Sequence, residues 1–186
     1  MRIRYNAPVT LTFSLLCAAI LLLDQITGNN IVVPLFTAPG RGSFPQIGFL
    51  GLFRLLSHVF GHASWSHLVA NMSLILLLGP ILEEKYGSRK LLVMMVTTAL
   101  VTGLLNALLF TTGLLGASGI VFMMVLLVSF TNIREGEVPL TFILVFLLFL
   151  SREIMNSFAQ NTISEMTHIM GGIIGSLYGF LSAGKR

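Results

Sequence analysis

Charged and strongly polar positions fall in short clusters that cut the chain into long apolar stretches, at about 7–27, 64–82, 91–110, 116–130, 138–156 and 163–183. Each except 116–130 is near the roughly 20 residues an α-helix needs to cross a bilayer. None alternates apolar and polar residues as a barrel strand would, so the pattern predicts one all-α, polytopic membrane domain over residues 1–186 with six helices. The run from Leu91 to Phe130 holds no acid or base for 40 residues, too long for one crossing, and Thr111-Thr112-Gly113 is the expected turn within it. The helix after that turn, from Gly116 to Phe130, is about five residues short of a crossing, which sinks its N-terminus below the membrane surface. Between Gly28 and Gly51 lie three of the six prolines and five glycines, with Phe36, Phe44 and Phe49 among them; this reads as a loop with aromatics in the interface. Glu83 to Lys90 are expected to form a short ionic turn and nothing catalytic.

Composition agrees with the pattern. With 55% hydrophobic and 10% charged residues and a mean hydropathy of +0.90, the chain cannot cover a soluble globule of this size with polar groups. The lipid bilayer is therefore its first partner. A net charge of +4 could suggest nucleic acid, but the basic residues sit at the ends of apolar stretches, where membrane topology accounts for them. The single cysteine, Cys17, excludes an internal disulfide. Arg2 and Arg4 before the first apolar stretch look like the start of a secretory signal, yet no small-x-small cleavage site follows, and an uncleaved first helix is expected.

Six spans put both termini on one side, together with Lys85, Arg89, Lys90 and Arg134, leaving Arg41, Arg54 and Arg152 opposite. The positive-inside rule makes the richer side cytoplasmic. Ser118, His67 and His168 then all fall in the outer half of the bilayer, with Asn71 one turn below His67 on the same helix face.

Polar groups inside spans are expensive and mark function. Gly116 and Gly119 flank Ser118 closely enough for a ligand to approach the backbone, and the first N–H groups of a helix favour developing negative charge. Small residues at this spacing also serve simple helix packing, so the motif needs partners elsewhere. His168 is followed by Gly171, Gly175 and Gly179, a small-residue stripe on its own helix face that would let the Ser118 helix approach. A neutral imidazole suits the removal of a serine proton. His67 and Asn71 carry side-chain donors suited to an oxyanion. His58 and His62, with His67, hint at metal, but no H-E-x-x-H is present and no acid lies near them in sequence, so no metal and no cofactor are expected. Asp24 is the only aspartate, which excludes a two-aspartate mechanism within one copy.

The stretches Arg54–Asn71 (RLLSHVFGHASWSHLVAN), Leu82–Leu91 (LEEKYGSRKL), Gly116–Gly119 (GASG) and His168–Gly175 (HIMGGIIG), in this order, resemble a rhomboid intramembrane serine protease of the minimal six-helix type. The resemblance spans about Phe53 to Leu181. It implies a rhomboid-like bundle with a short, sunken fourth helix and a serine endopeptidase that cuts the transmembrane helices of other proteins near their outer ends. Ser118 would be the nucleophile, His168 the general base and later acid, and His67, Asn71 and the Ser118 N–H the oxyanion donors. Gly116, Gly119, Phe122 and Gly171 would shape the site. Two positions depart from the family pattern: Phe53 stands for a frequent tryptophan and Phe122 for a frequent tyrosine beneath the histidine. The Gly- and Pro-rich first loop also departs from the family's ordered interfacial hairpin.

Phe142, Phe146 and Phe149 recur at helical spacing on span five and suit a gate beside span two through which substrate enters. A prokaryotic plasma membrane is expected, with the active site opening to the extracytoplasmic side. Two other classes fit less well: a non-catalytic relative that binds client helices would have lost the serine or histidine, and a small channel or transporter would not bring His and Asn to the depth of a G-x-S-G.

Overall fold

The computed structural model describes residues 4–42, 48–129, 140, 143, 144, 147, 148 and 162–183, the side chains of 162–168, 179, 180, 182 and 183 excepted. Seven helices are named in this range: α1 Pro8–Ile26, α2 Val32–Phe36, α3 Phe49–Ser57, α4 Trp65–Tyr86, α5 Ser88–Leu109, α6 Ser118–Ser129 and α7 Thr162–Ala183. The described fold is all-helical, and α1, α4 and α5 are long and apolar enough to cross a membrane. The expected fifth span, with Phe142, Phe146 and Phe149, lies almost wholly outside the described residues.

α6 is the centre of the bundle. Its residues Gly119 to Met124, Leu126 and Leu127 are all buried, so it presents apolar side chains on every face and packs on α4, α5 and α7. Its most extensive partner is α7. A Cβ added to Gly171 would strike the carbonyl of Gly119, and one added to Gly175 that of Met123. The offset between partners is the same in both pairs, so α6 and α7 run parallel, backbone against backbone, along the glycine stripe.

α1 and α4 are antiparallel and joined at both ends. Trp65 Nε1 donates to Gln25 Oε1 at 2.9 Å where α4 begins and α1 ends. At the other end Glu83 lies inside α4 and is 5% exposed. Its carboxylate accepts from Val9 N–H (2.9 Å), Thr10 N–H (3.0 Å), the Thr10 hydroxyl (2.8 Å) and the Ser88 hydroxyl (2.7 Å). The first N–H groups of α1 have no partner within their own helix, and a carboxylate from another helix supplies one. The ionic turn expected over Glu83 to Lys90 is corrected: helix continues to Tyr86, Gly87 turns the chain at φ +80°, and Glu83 is a buried cap.

The segment 28–51, expected as loop, carries α2 and the start of α3, which continues through a 3-10 turn at His58–Phe60. The twelve residues Phe49–Phe60, eight of them apolar, are too few for a crossing, but they suffice for a helix laid on α5, where the Leu55 carbonyl seats against Gly103. Ala38 and Leu114 exchange backbone hydrogen bonds at 2.8 and 3.1 Å, tying this region to the turn that precedes α6.

Candidate active site

Ser118 is the first residue of α6 and half-buried. Gly116, two residues earlier, has φ +116°, a backbone state that side chains rarely tolerate. Its N–H donates to the His58 carbonyl at 2.9 Å, which fixes the turn into the helix. The Ala117 carbonyl then accepts from Val121 N–H at 2.9 Å and starts the helical ladder.

His67 stands in the first turn of α4, whose N-cap Ser64 accepts from the His67 N–H at 3.2 Å. The His67 Nδ1 accepts from Ala63 N–H at 3.4 Å, which assigns the ring proton to Nε2. That edge of the ring faces Gly116: a Cβ there would lie 2.7 Å from His67 Cε1 and 2.8 Å from Nε2. The same Cβ would lie 3.9 Å from Asn71 Nδ2. Asn71 is 7% exposed, and its Nδ2 is buried with no hydrogen-bond partner. A buried amide without an acceptor costs about 1–3 kcal/mol, so this donor faces the space at Gly116 at a standing cost. The absence of a side chain at Gly116 therefore opens a small space flanked by two side-chain donors, two residues from a serine hydroxyl.

His168 lies on α7, and its side chain is outside the described residues. Its backbone position is one turn before Gly171, which faces Gly119, so the parallel register brings residue 168 level with the residues just before Ser118. Phe122 is buried, and its ring lies against Gly172, four residues after His168.

Residues 50–185 match the Rhomboid domain family. This chain is a member of the rhomboid family. Over 177 residues, 93% of its length, it is 30% identical to the rhomboid protease GlpG of Yersinia pestis strain Pestoides F, and to that of Yersinia pseudotuberculosis strain YPIII. The protein of the same name from Yersinia enterocolitica serotype O:8 is equally similar. The chain spans about 62% of the length of these relatives.

One neighbour of this rhomboid's candidate site was missed from sequence, where His62 counted only as a weak metal hint. Its ring meets His67 edge-on, with centroids 5.0 Å apart. The His62 Nδ1–H donates to the Phe60 carbonyl at 3.2 Å. Burial, and then repulsion from His67, lower its pKa to about 4, so it stays neutral near physiological pH. His58 lies deeper, its Nδ1 3.1 Å from the Leu55 carbonyl and its Nε2 3.4 Å from the Thr102 hydroxyl. Both rings are thus held by backbone carbonyls of their own segment. Among the described residues no three His, Cys, Asp or Glu side chains group to hold a metal.

Proposed function

We propose that this rhomboid is an intramembrane serine endopeptidase that hydrolyses a peptide bond near the outer end of a transmembrane helix of another membrane protein. The observation that carries the reading is the unpartnered Asn71 Nδ2, which shares with the His67 Nε2 edge the space at Gly116, beside Ser118. A buried donor held ready without an acceptor, as Asn71 Nδ2 is, is what an oxyanion requires, because it needs no rearrangement when charge develops. The relatives' printed name, rhomboid protease, supports the same reading.

In this mechanism Ser118 Oγ adds to the scissile carbonyl carbon while His168 takes its proton. The carbonyl oxygen becomes an oxyanion and accepts from His67 Nε2–H, Asn71 Nδ2–H and Ser118 N–H. The C–N bond then breaks, and the proton held by His168 passes to the leaving amine. Water repeats the sequence on the acyl-serine, with His168 again base and then acid. No third carboxylate takes part. A helical substrate protects its carbonyls with its own hydrogen bonds, so the cut segment must first unwind, and small or helix-breaking residues are expected at the cut.

The finer topology belongs to the same proposal: six spans, both termini in the cytoplasm of a prokaryotic cell, the site opening outward, and substrate entering between spans two and five. A fluorescent fluorophosphonate tests the chemistry on purified protein in detergent. Wild type is expected to be labelled, and Ser118→Ala and His168→Ala are expected to lose labelling. A folded wild type that resists the probe would favour a non-catalytic binder of client helices, and labelling that survives Ser118→Ala would mean another nucleophile.

A further inference from the structure

A second feature lies away from the serine. A cavity of about 340 Å³ runs beneath α3, between α1 and α5. Phe13 of α1, Met95 and Ala99 of α5, Phe60 of the 3-10 turn and Ile120 of α6 form its floor and walls. The one hydroxyl in its lining, that of Ser57, already donates to the Leu35 carbonyl at 2.8 Å. A buried water needs about two to four polar partners, and none is open here, so water is not its filler.

The cavity opens sideways. Leu16, Phe53, Leu92 and Val96 form its mouth and are each close to half exposed, whereas Phe13, Met95 and Ile120 at its floor are buried. The mouth residues of α1 and α5 belong to two span-length helices of an integral membrane protein, so the opening is continuous with the lipid-facing surface. What stands at that opening is hydrocarbon. A helix of about 10 Å diameter, from a substrate or a second copy, is too wide to enter such a slot, whereas a single acyl chain is thin, flexible and wholly apolar.

We propose that this cavity is a binding site for one acyl chain of a membrane phospholipid, held between α1 and α5 beneath α3. The bound chain replaces missing packing at the floor, since apolar walls without a facing partner forfeit dispersion contacts. It also touches α6 through Ile120, two residues from Ser118, so lipid composition would reach the helix that carries the serine.

The test uses the full chain in vesicles of phosphatidylethanolamine and phosphatidylglycerol containing a trace of phospholipid with a diazirine midway along one acyl chain. After irradiation, adducts are mapped by mass spectrometry. Ordinary surrounding lipid reaches only exposed residues such as Leu77. An occupied site is expected to give adducts at buried Phe13, Met95 or Ile120 at least as abundant as those at Leu77. Ala99→Phe, which fills the cavity, should cut the floor adducts severalfold and leave Leu77 unchanged. Leu16→Trp blocks the exposed mouth without adding bulk to the core, and should act alike if Ala99→Phe does not fold. Absence of floor adducts in wild type overturns the proposal, as does floor labelling that persists in a folded blocked variant. The readout is independent of serine reactivity, so it stands apart from the protease reading.

Discussion

Gly116→Ala tests the site at its narrowest point. The added Cβ would stand 2.7 Å from His67 Cε1, and the φ of +116° is strained for any residue with a side chain. Because the His58 carbonyl holds the Gly116 N–H, the ring rather than the turn must yield. Moving one of the two proposed side-chain oxyanion donors is expected to cost on the order of 100-fold in kcat with the helices intact. Steady-state cleavage of a single-span substrate, beside circular dichroism, checks it; activity within a fewfold of wild type would deny Gly116 this role. The four-residue motif and the H-x-x-x-N spacing were legible because both are local in sequence. His62 was not, since its edge-on contact with His67 depends on how the chain turns between the 3-10 helix and α4.

Two histidines of the same segment set a pH dependence of stability. Burial lowers the pKa of both His58 and His62 from 6.5 to about 4. Between those values the unfolded chain binds protons that the folded chain refuses, so stability rises with pH across the interval. It is fully present above about 6.5 and is lost as pH falls toward about 4. Thermal unfolding in detergent should show Tm dropping across this window, with less of a drop in His62→Phe. A flat Tm from pH 7 to pH 4 would contradict the burial of these rings as neutral groups.

At the scale of elements, the joint between α1 and α4 rests on one carboxylate. Glu83→Gln keeps the size of the side chain but turns an acceptor of four hydrogen bonds into an amide whose NH2 faces buried donors. Hydrogen bonds to a charged group contribute about 1.5–3 kcal/mol each, and losing two of them should destabilise by about 3 kcal/mol or more. A lowered Tm with fluorophosphonate labelling retained below the transition is the expected result. An unchanged Tm would mean the cap is dispensable. The sequence pattern pointed the other way here, because Glu83-Glu84-Lys85 looks like solvated punctuation after an apolar run. Only the return of α1 over the end of α4 explains why the first of the three is buried. Similarly, α3 was invisible to a search for spans, since its apolar run is half a crossing long. The glycine stripe of α7 was legible as periodicity, and the structure adds its register: Gly171 against Gly119 and Gly175 against Met123.

For the whole molecule, where a substrate can be cut depends on which side of the membrane the site faces. α1 and α4 are antiparallel, and the turn at Gly87 reverses the chain between α4 and α5, so the end of α1, the start of α4 and the end of α5 share one side. The start of α6 joins them through the bridge between Ala38 and Leu114. The basic residues Arg4, Lys85, Arg89 and Lys90 lie toward the opposite side, and the positive-inside rule predicts that side to be the cytoplasm. The single native thiol, Cys17, is buried, so single cysteines on a Cys17→Ala background can report the orientation. In sealed cells or right-side-out vesicles, Arg41→Cys should react with a membrane-impermeant maleimide at once. Arg89→Cys, at an exposed position near the start of α5, should react only after the membrane is opened. The reverse pattern would turn Ser118 toward the cytoplasm, and the proposed peptidase activity would then have to act near the inner ends of its substrates.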